Sequence, residues 1–187
     1  MKAGVLALQG DVREHVSVLQ DLGAAPVLVR TAEELASVDC LAIPGGESTT
    51  MAKLAHSHGL VEPLRERAEN GMPVFGTCAG MIIMAREVTD GEPLLSLLDI
   101  SVTRNAYGRQ VDSFEADVDA PVVSNEPLRA VFIRAPVVDA VGDGVEVLAE
   151  LRGSPILVEQ RNLIAATFHP ELAGDGQLHR RMLERVG

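Results

Sequence analysis

Aromatic side chains and positive charge are both scarce in this sequence. Aromatic residues make up 3% of the chain and there is no tryptophan, so the base-stacking surfaces of single-stranded nucleic-acid binding are not expected. Only 16 Lys and Arg stand against 27 Asp and Glu, which gives a formal net charge of −11 at pH 7. An acidic chain repels phosphate backbones and anionic lipid surfaces. The composition therefore argues against nucleic acid and membrane as partners.

Cysteines and long apolar runs are also few. The two cysteines, Cys40 and Cys78, fall in different predicted elements, so no disulfide framework is indicated. No stretch is long enough to span a bilayer, and the N-terminal apolar run, which ends at Gln9, is too short for a signal peptide. We therefore expect a cytoplasmic protein. With 187 residues and 47% hydrophobic content, residues 1–187 are expected to form a single domain.

Strands and helices alternate through the first half of the chain. Short continuous apolar runs predict buried strands, and apolar residues at helical spacing predict the helices between them. The predicted strands are Ala3–Leu8, Pro26–Val29, Cys40–Ile43 and Pro73–Phe75; the predicted helices are Val12–Leu22, a short one opening at Thr31, Met51–His56, Leu60–Ala68 and Met81–Ala85. This order predicts a parallel sheet covered by helices.

The second half of the chain, after about residue 90, reads instead as closely spaced strands. The predicted strands are Ile100–Thr103, Val111–Val118, Ala130–Ile133, Val137–Val141, Val145–Glu150, Ile156–Gln160 and Leu163–Thr167, followed by a closing helix Gln177–Val186. Close spacing without helices predicts antiparallel hairpins added to the sheet. The expected fold class is α/β: a three-layer, flavodoxin-like open sheet with a parallel core, antiparallel additions and helices on both faces.

Cys78 lies in a pattern typical of a nucleophile elbow. An apolar strand leads into Gly76-Thr77-Cys78-Ala79-Gly80, and an apolar helix follows. Glycine at positions 76 and 80 leaves room for a sharp turn, and a helix N-terminus favours the thiolate form of a cysteine. The alternative is an inert, buried cysteine on a glycine-rich turn. Cys40, within a predicted strand, is expected to be a core residue.

A histidine and a carboxylate follow the last predicted strand, in Phe168-His169-Pro170-Glu171. The carboxyl ends of parallel strands share one edge of the sheet, so we expect His169 to lie near Cys78. Base and orienting carboxylate then complete a triad of Cys78, His169 and Glu171. One alternative, a zinc deaminase, needs a later Cys-x-x-Cys pair that the sequence lacks. The other is a loop histidine that merely caps the sheet. No metal site is expected.

The third strand runs into a glycine-rich loop, Pro44-Gly45-Gly46-Glu47-Ser48-Thr49. The loop lacks the Gly-Lys-Ser/Thr of a P-loop, so a nucleotide phosphate site is not indicated. It can still present backbone N–H groups near a helix N-terminus. A tight turn with a Ser/Thr cap explains the loop equally well.

Taken together, the elbow and the His-Pro-Glu segment resemble the class I, or triad, glutamine amidotransferases. Four further stretches narrow the resemblance to the glutaminase subunits of pyridoxal 5′-phosphate synthase, and the likeness covers nearly the whole chain. They are Leu8–His15, Pro44–Thr49, Arg104–Phe114 and Phe132–Pro136.

The resemblance implies hydrolysis of L-glutamine to glutamate and ammonia through a γ-glutamyl thioester on Cys78. Ammonia would pass to a (β/α)₈-barrel synthase subunit, with one glutaminase docked on each subunit of a dodecameric core. No cofactor is implied, because pyridoxal 5′-phosphate is a product of the complex. The implied oxyanion-hole residues are Gly45, Gly46 and Ala79, and the implied glutamine-binding residues are Gly46, Glu47, Ser48, Arg104, Ile133 and Arg134.

Two other functions stay open at this point. One is the glutaminase subunit of a different amidotransferase. The other is a hydrolase or chaperone of the DJ-1 type, which also carries its cysteine on an elbow.

Overall fold

Twelve strands and six α-helices are found in residues 1–89, 91–104 and 113–187, the part of the chain that the computed structural model describes. The strands are β1 Lys2–Leu6, β2 Ala25–Val29, β3 Cys40–Ile43, β4 Val74–Thr77, β5 Ala85–Thr89, β6 Leu98–Thr103, β7 Phe114–Val118, β8 Leu128–Phe132, β9 Val137–Val141, β10 Glu146–Leu151, β11 Ser154–Gln160 and β12 Leu163–Ala166. The helices are α1 Val12–Asp21, α2 Ala32–Ala36, α3 Ser48–Ser57, α4 Val61–Glu69, α5 Ala79–Met84 and α6 Gln177–Glu184.

A seven-stranded sheet in the order β10-β11-β12-β4-β3-β1-β2 forms the central layer. The strands from β12 to β2 are parallel, whereas β10 and β11 pair antiparallel at one side. All residues of β3, β4 and β12 are buried, as expected for parallel strands covered on both faces. The expected fold class is confirmed: an α/β sheet with a parallel core, antiparallel additions and helices on both faces.

Two hydrophobic cores lie on opposite faces of this sheet. Successive residues of a strand point to opposite faces, so Val74 enters one core and Phe75 the other. The first core includes α2 to α5, with Leu35, Met51 and Leu64 among its buried side chains. The second includes α1 and α6. Helices therefore cover both faces and leave the strand ends as the place where side chains reach a cleft.

The second half of the chain differs in part from the predicted hairpins. Among the described strands of this half, β12 joins the parallel core of the central sheet and β10 and β11 extend it antiparallel, while β5, β6 and β9 form a three-stranded sheet and β7 and β8 a two-stranded one. The predicted helix Met81–Ala85 begins two residues late and ends one residue late, because α5 spans Ala79–Met84 and Ala85 begins β5, a strand that the sequence pattern did not indicate. Pairing of β5 with β6 overrides the local preference there. The predicted strand Val111–Val118 begins at Phe114 within the described residues; positions 111 and 112 lie outside them.

The loops that follow β1, β3, β4 and β12 meet at the carboxyl edge of the parallel sheet, where they carry Asp11, Gly45, Cys78 and His169 respectively. This is the edge at which open α/β sheets bind ligands. Among the described residues, no helix has the length and apolar character needed to cross a membrane.

Candidate active site

Cys78 sits on a strained turn between β4 and α5. Its backbone has φ 48° and ψ −101°, a positive φ that costs a non-glycine residue on the order of 1–3 kcal/mol. The turn is held because Cys78 N donates to Ala166 O at 2.8 Å. Gly80 is needed for it, since a methyl group at that position would lie 2.2 Å from Ile43 O. The local geometry is that of a nucleophile elbow, as the sequence pattern predicted.

The Cys78 thiol is nearly covered, with 7% of the residue exposed. Its Sγ donates to the carbonyl oxygen of Ile133 at 3.8 Å. Ala79 opens the first turn of α5, so its N–H has no acceptor within the helix. An N–H group that directly follows a nucleophile in an elbow is suited to bind an oxyanion.

His169 lies between the thiol and two carboxylates. Its Nδ1 is 2.8 Å from Glu171 Oε1 and 3.3 Å from Asp11 Oδ2, and the Cys78 side chain lies close enough to raise its pKa. Burial lowers the pKa of His169, but the hydrogen bonds with Asp11, Cys78 and Glu171 outweigh it and raise the pKa to about 12. Since Nδ1 faces the carboxylates, Nε2 is the ring nitrogen left for the thiol. The arrangement brings the three predicted triad residues together.

Glu171 is buried and stays ionised. Burial raises its pKa, but His15 and His169 more than reverse this, so its pKa lies well below the ordinary value. The residue begins a short 3-10 helix, Glu171–Ala173, whose N-cap is Pro170. A buried carboxylate on one ring nitrogen fixes the tautomer of the imidazole and keeps the other nitrogen for catalysis.

Gly45 packs against the imidazole of His169. A methyl group on Gly45 would lie 2.1 Å from His169 Cε1, so only glycine fits there. Its carbonyl oxygen accepts a hydrogen bond from Asp11 N at 3.1 Å, which links the loops after β1 and β3. Gly45 thus sets the distance between its own loop and the imidazole.

A cavity of about 320 Å³ opens in front of Cys78. Its lining is Gln9, Asp11, Gly46, Glu47, Ser48, Cys78, Ala79, Ile82, Arg104, Ile133, Arg134 and His169. All six residues expected to bind glutamine therefore share one cavity with the nucleophile and the base. Gly45 and Glu171 are not part of the lining and lie buried behind His169.

Glu47 and Arg104 form a charged pair at the cavity wall. Glu47 is the N-cap of α3, where its carboxylate accepts hydrogen bonds from Thr49 N and Thr50 N. The hydrogen bond from the Thr50 side chain is the main reason that the pKa of Glu47 falls to about 2. Arg104 Nη2 donates to Thr49 Oγ1 at 2.9 Å and lies 3.4 Å from Glu47 Oε1. A carboxylate and a guanidinium thus face the same cavity, as the two charged ends of an amino acid require.

Asp11, His169 and Glu171 are also the described residues that come closest to a metal site, since each offers one ligand atom and these atoms lie within 4.8 Å of one another. Both carboxylates, however, converge on the same ring nitrogen. That nitrogen could bind a metal only after losing the proton that it shares with Glu171 at 2.8 Å. The cluster is better explained as an oriented base than as a metal centre.

Three contacts of this site were not anticipated from the sequence. Gln9 Oε1 accepts a hydrogen bond from Glu47 N at 2.7 Å, Asp11 contacts His169, and Thr77 Oγ1 donates to Glu171 Oε1 at 3.3 Å. Their positions in the chain could have pointed to these contacts, because Gln9 and Asp11 follow β1 and Thr77 ends β4 at the same edge of the sheet. Of the predicted stretch Arg104–Phe114, residues 105–112 lie outside the described residues.

Comparison with known proteins gives a consistent result over the whole chain. The model of the SNO glutamine amidotransferase family matches residues 5–186. A protein of Frankia alni named pyridoxal 5′-phosphate synthase subunit PdxT is 55% identical over 188 residues, which cover 99% of this chain and 94% of the relative. The protein of the same name from Pelotomaculum thermopropionicum is 56% identical over 186 residues, with 99% and 95% covered.

Solved structures agree with the sequence relatives. A crystal structure described as a glutamine amidotransferase superposes with a TM-score of 0.93 at 48% identity, covering 99% of this chain and 98% of that one. The PurLQS structure from Thermotoga maritima has a TM-score of 0.77 at 18% identity, covering 100% and 99% of the two chains, and shows likeness of fold alone.

Proposed function

The chain belongs to the SNO glutamine amidotransferase family and is the glutaminase component of pyridoxal 5′-phosphate synthase, and we propose that Cys78, His169 and Glu171 carry out its glutamine hydrolysis. The observation that carries this assignment is the position of His169. The ring bridges the thiol of Cys78 and the buried carboxylate of Glu171 at the mouth of a cavity large enough for an amino acid.

The chemistry follows from these three side chains. The sulfur of Cys78 attacks the side-chain carboxamide carbon of glutamine, and His169 carries the thiol proton. The tetrahedral intermediate collapses to a γ-glutamyl thioester while His169 protonates the leaving ammonia. Water, deprotonated by His169, then attacks the thioester and releases glutamate and the free thiol. Glu171 remains ionised throughout and stabilises the imidazolium.

Two backbone N–H groups are proposed to bind the oxyanion. The first is that of Ala79, which has no acceptor within α5. The second comes from the Gly45-Gly46 loop, which packs on His169. Donors of this kind act only on charge that develops in the transition state, so losing one costs about 10²- to 10³-fold in kcat.

The charged ends of glutamine are proposed to bind at the opposite wall. Glu47, held ionised by its hydrogen bonds, meets the α-ammonium group, and Gly46 and Ser48 border the same part of the cavity. Arg104 and Arg134 both line the cavity and either guanidinium is able to pair with the α-carboxylate. Ile133 contributes its main chain beside the thiol.

The chain acts together with a synthase partner, because its relatives are named as subunits of that enzyme. We propose that the partner is a (β/α)₈ barrel, with one glutaminase on each subunit of a dodecameric core, and that docking switches the Gly45-Gly46 peptide. The carbonyl oxygen of Gly45 accepts from Asp11 N at 3.1 Å in the isolated chain. Rotating this peptide breaks that single bond and turns the peptide's N–H group by the same angle, so docking is able to control the oxyanion hole at low cost.

A mass-spectrometric trapping experiment tests the assignment. Incubation with glutamine followed by rapid acid quenching should place the γ-glutamyl adduct on Cys78 and leave Cys40 unmodified. Cys40 is the matched control, since it is fully buried and its pKa is raised to about 12 by burial and by Asp39. An adduct on Cys40, or no glutamine hydrolysis in the presence of the synthase, would refute the proposal.

A further inference from the structure

Behind the triad lies a buried chain of polar side chains that the chemistry above does not use. His15 on α1, Thr77 at the end of β4 and His179 on α6 are each fully buried. Buried polar side chains cost free energy unless they are hydrogen-bonded, so two buried imidazoles and a buried hydroxyl linked to the Glu171 carboxylate need an explanation.

The contacts run in one line toward Glu171. His179 Nε2 lies 2.8 Å from His15 Nδ1, and His15 Nε2 lies 3.2 Å from Thr77 Oγ1. Thr77 Oγ1 is 3.3 Å from Glu171 Oε1, and His15 Nε2 is itself 3.4 Å from that oxygen. The line thus connects the closing helix to the first helix and then to the triad.

The directions of the hydrogen bonds between His179, His15 and Thr77 follow from which ring nitrogens carry protons. Burial, followed by the neighbouring His15, lowers the pKa of His179 to about 3, so His179 is neutral and carries one ring proton. Its Nδ1 has no partner among the described residues. A buried donor without an acceptor is rarer than an unpaired acceptor, so the proton sits on Nε2 and is donated to His15 Nδ1. His15 then has its own proton on Nε2, directed at Thr77 and Glu171.

Glu171 makes all its described contacts through one oxygen. Oε1 accepts hydrogen bonds from His169 Nδ1 and Thr77 Oγ1 and lies 3.4 Å from His15 Nε2. The buried Oε2 has no partner among the described residues. The orientation of the carboxylate therefore depends on the donors that converge on Oε1. Without those from α1 and β4, nothing in this set would keep Oε1, rather than Oε2, in line with His169.

We propose that His15 is a positioning residue of the glutaminase: fixed by His179, it directs Nε2–H toward Thr77 and Glu171 and holds the carboxylate in the rotamer that serves His169. This inference rests on the proposed function, because it assigns a role within the same site. It adds α1 and α6 to the elements on which turnover depends, although neither His15 nor His179 lines the substrate cavity.

Kinetics of four variants, measured in the complex with the synthase subunit, test this role. His15→Leu removes both ring nitrogens at similar volume and should lower kcat by about 10- to 100-fold, by analogy with the loss of a partner that orients a metal ligand, with little change in glutamine KM. His15→Gln retains a donor and should recover most of the kcat. His179→Phe should give a smaller loss, and the double variant should be no slower than His15→Leu alone, because both changes break the same line.

Thr167→Val provides the matched control. Its hydroxyl is also buried but has no partner among the described residues, so its removal should leave kcat unchanged. A His15→Leu protein that is less stable but keeps full kcat, or a Gln variant as slow as the Leu variant, would overturn the inference. Should His15→Leu fail to fold, Thr77→Val carries the same expectation of lower kcat at unchanged KM. A wild-type complex that does not hydrolyse glutamine would instead refute the proposed function, so the two failures are distinguishable.

Discussion

At the scale of single residues, the site combines a proposed nucleophile at the cavity wall with a proposed base whose partners are buried. Cys78 reaches the cavity, His169 is 4% exposed, and Glu171 is closed off behind the ring. Burial alone would discharge both His169 and Glu171, and it is their mutual hydrogen bond, with Asp11 and His15 beside it, that keeps them ionised. The charge state of the site therefore depends on these contacts more than on solvent.

Glu171→Gln tests the value of the buried negative charge. The amide keeps the size of the side chain but favours the wrong imidazole tautomer and does not compensate an imidazolium. We expect a loss of kcat of up to about 10⁴-fold with a much smaller change in KM, measured as glutamate release by the complex. Glu62→Gln, which changes an exposed carboxylate, is the control. Near-normal turnover would mean that another group orients His169.

His179 makes the fold sensitive to acid. Burial and His15 lower its pKa to about 3 from an ordinary value of 6.5, so the unfolded chain takes up a proton that the folded chain excludes. Its contribution to stability is complete above pH 6.5 and is lost as the pH falls toward 3, at about 1.4 kcal/mol per pH unit. His179→Phe should therefore flatten the decline in unfolding free energy between pH 6 and 4 in urea titrations.

The control for this experiment is His56→Phe, which replaces an exposed imidazole. The readout is the slope of the unfolding free energy against pH. A uniform change in the unfolding free energy would also reflect altered packing against Phe75 and the loss of the hydrogen-bond partner of His15. Parallel pH curves for wild type and His179→Phe would show that the histidine is not held neutral.

At the scale of elements, short connections at one sheet edge build the site. The elbow between β4 and α5 fits only because Gly80 lets α5 approach the end of β3. The loop after β3 in turn fits against His169 because residue 45 is glycine. Two close backbone approaches thus set the spacing of nucleophile, base and loop.

Gly80→Ala tests the first of these approaches. The added methyl would lie 2.2 Å from Ile43 O and 3.0 Å from Ile43 C, so the backbone must move, and overpacking of this kind costs about 1–3 kcal/mol. Gly176→Ala is the matched control, because its methyl would meet only side-chain carbons at 3.4 Å and should cost less than about 1 kcal/mol. Equal unfolding free energies for the two variants would contradict the steric argument.

Elements near the site could be predicted from the sequence because their signals are local. The short helix opening at Thr31, the strand Cys40–Ile43 and the elbow all appear in the structure where the pattern indicated. The small sheets of β5 to β9 could not be assigned, because the pairing partner of an exposed strand is a tertiary property. Asp11 and His179 were missed for a related reason: their roles depend on contacts with residues more than 150 positions away in sequence.

At the scale of the whole molecule, the glutaminase presents its cavity at the sheet edge where the proposed switch loop also lies. The Gly45-Gly46 peptide connects the wall of the cavity to the loop after β1 through Asp11. In the proposed mechanism, a synthase subunit that contacts either loop is therefore able to change the proposed oxyanion hole without touching glutamine. Coupling of glutamine hydrolysis to docking would prevent turnover in the absence of the synthase, when the ammonia would be lost to water.

The purified chain should accordingly be a weak glutaminase until its synthase subunit is added. If docking completes the oxyanion hole, kcat should rise by about 10²- to 10³-fold at saturating glutamine, measured as ammonia or glutamate release. Cys78→Ala in the same complex should stay inactive and serves as the control for contaminating hydrolases. Full activity of the isolated chain, unchanged by the partner, would favour a stand-alone hydrolase.

The position of β12 beside β4 also has a consequence during protein synthesis. The two strands pair in parallel although β12 is made long after β4, and His169 follows β12 directly. While the ribosome is still translating the second half of the chain, Cys78 has neither the proposed base nor the proposed carboxylate. A chain released before β12 therefore lacks two of the three residues proposed for glutamine hydrolysis, so the proposed activity arises only once the end of the sheet has been translated.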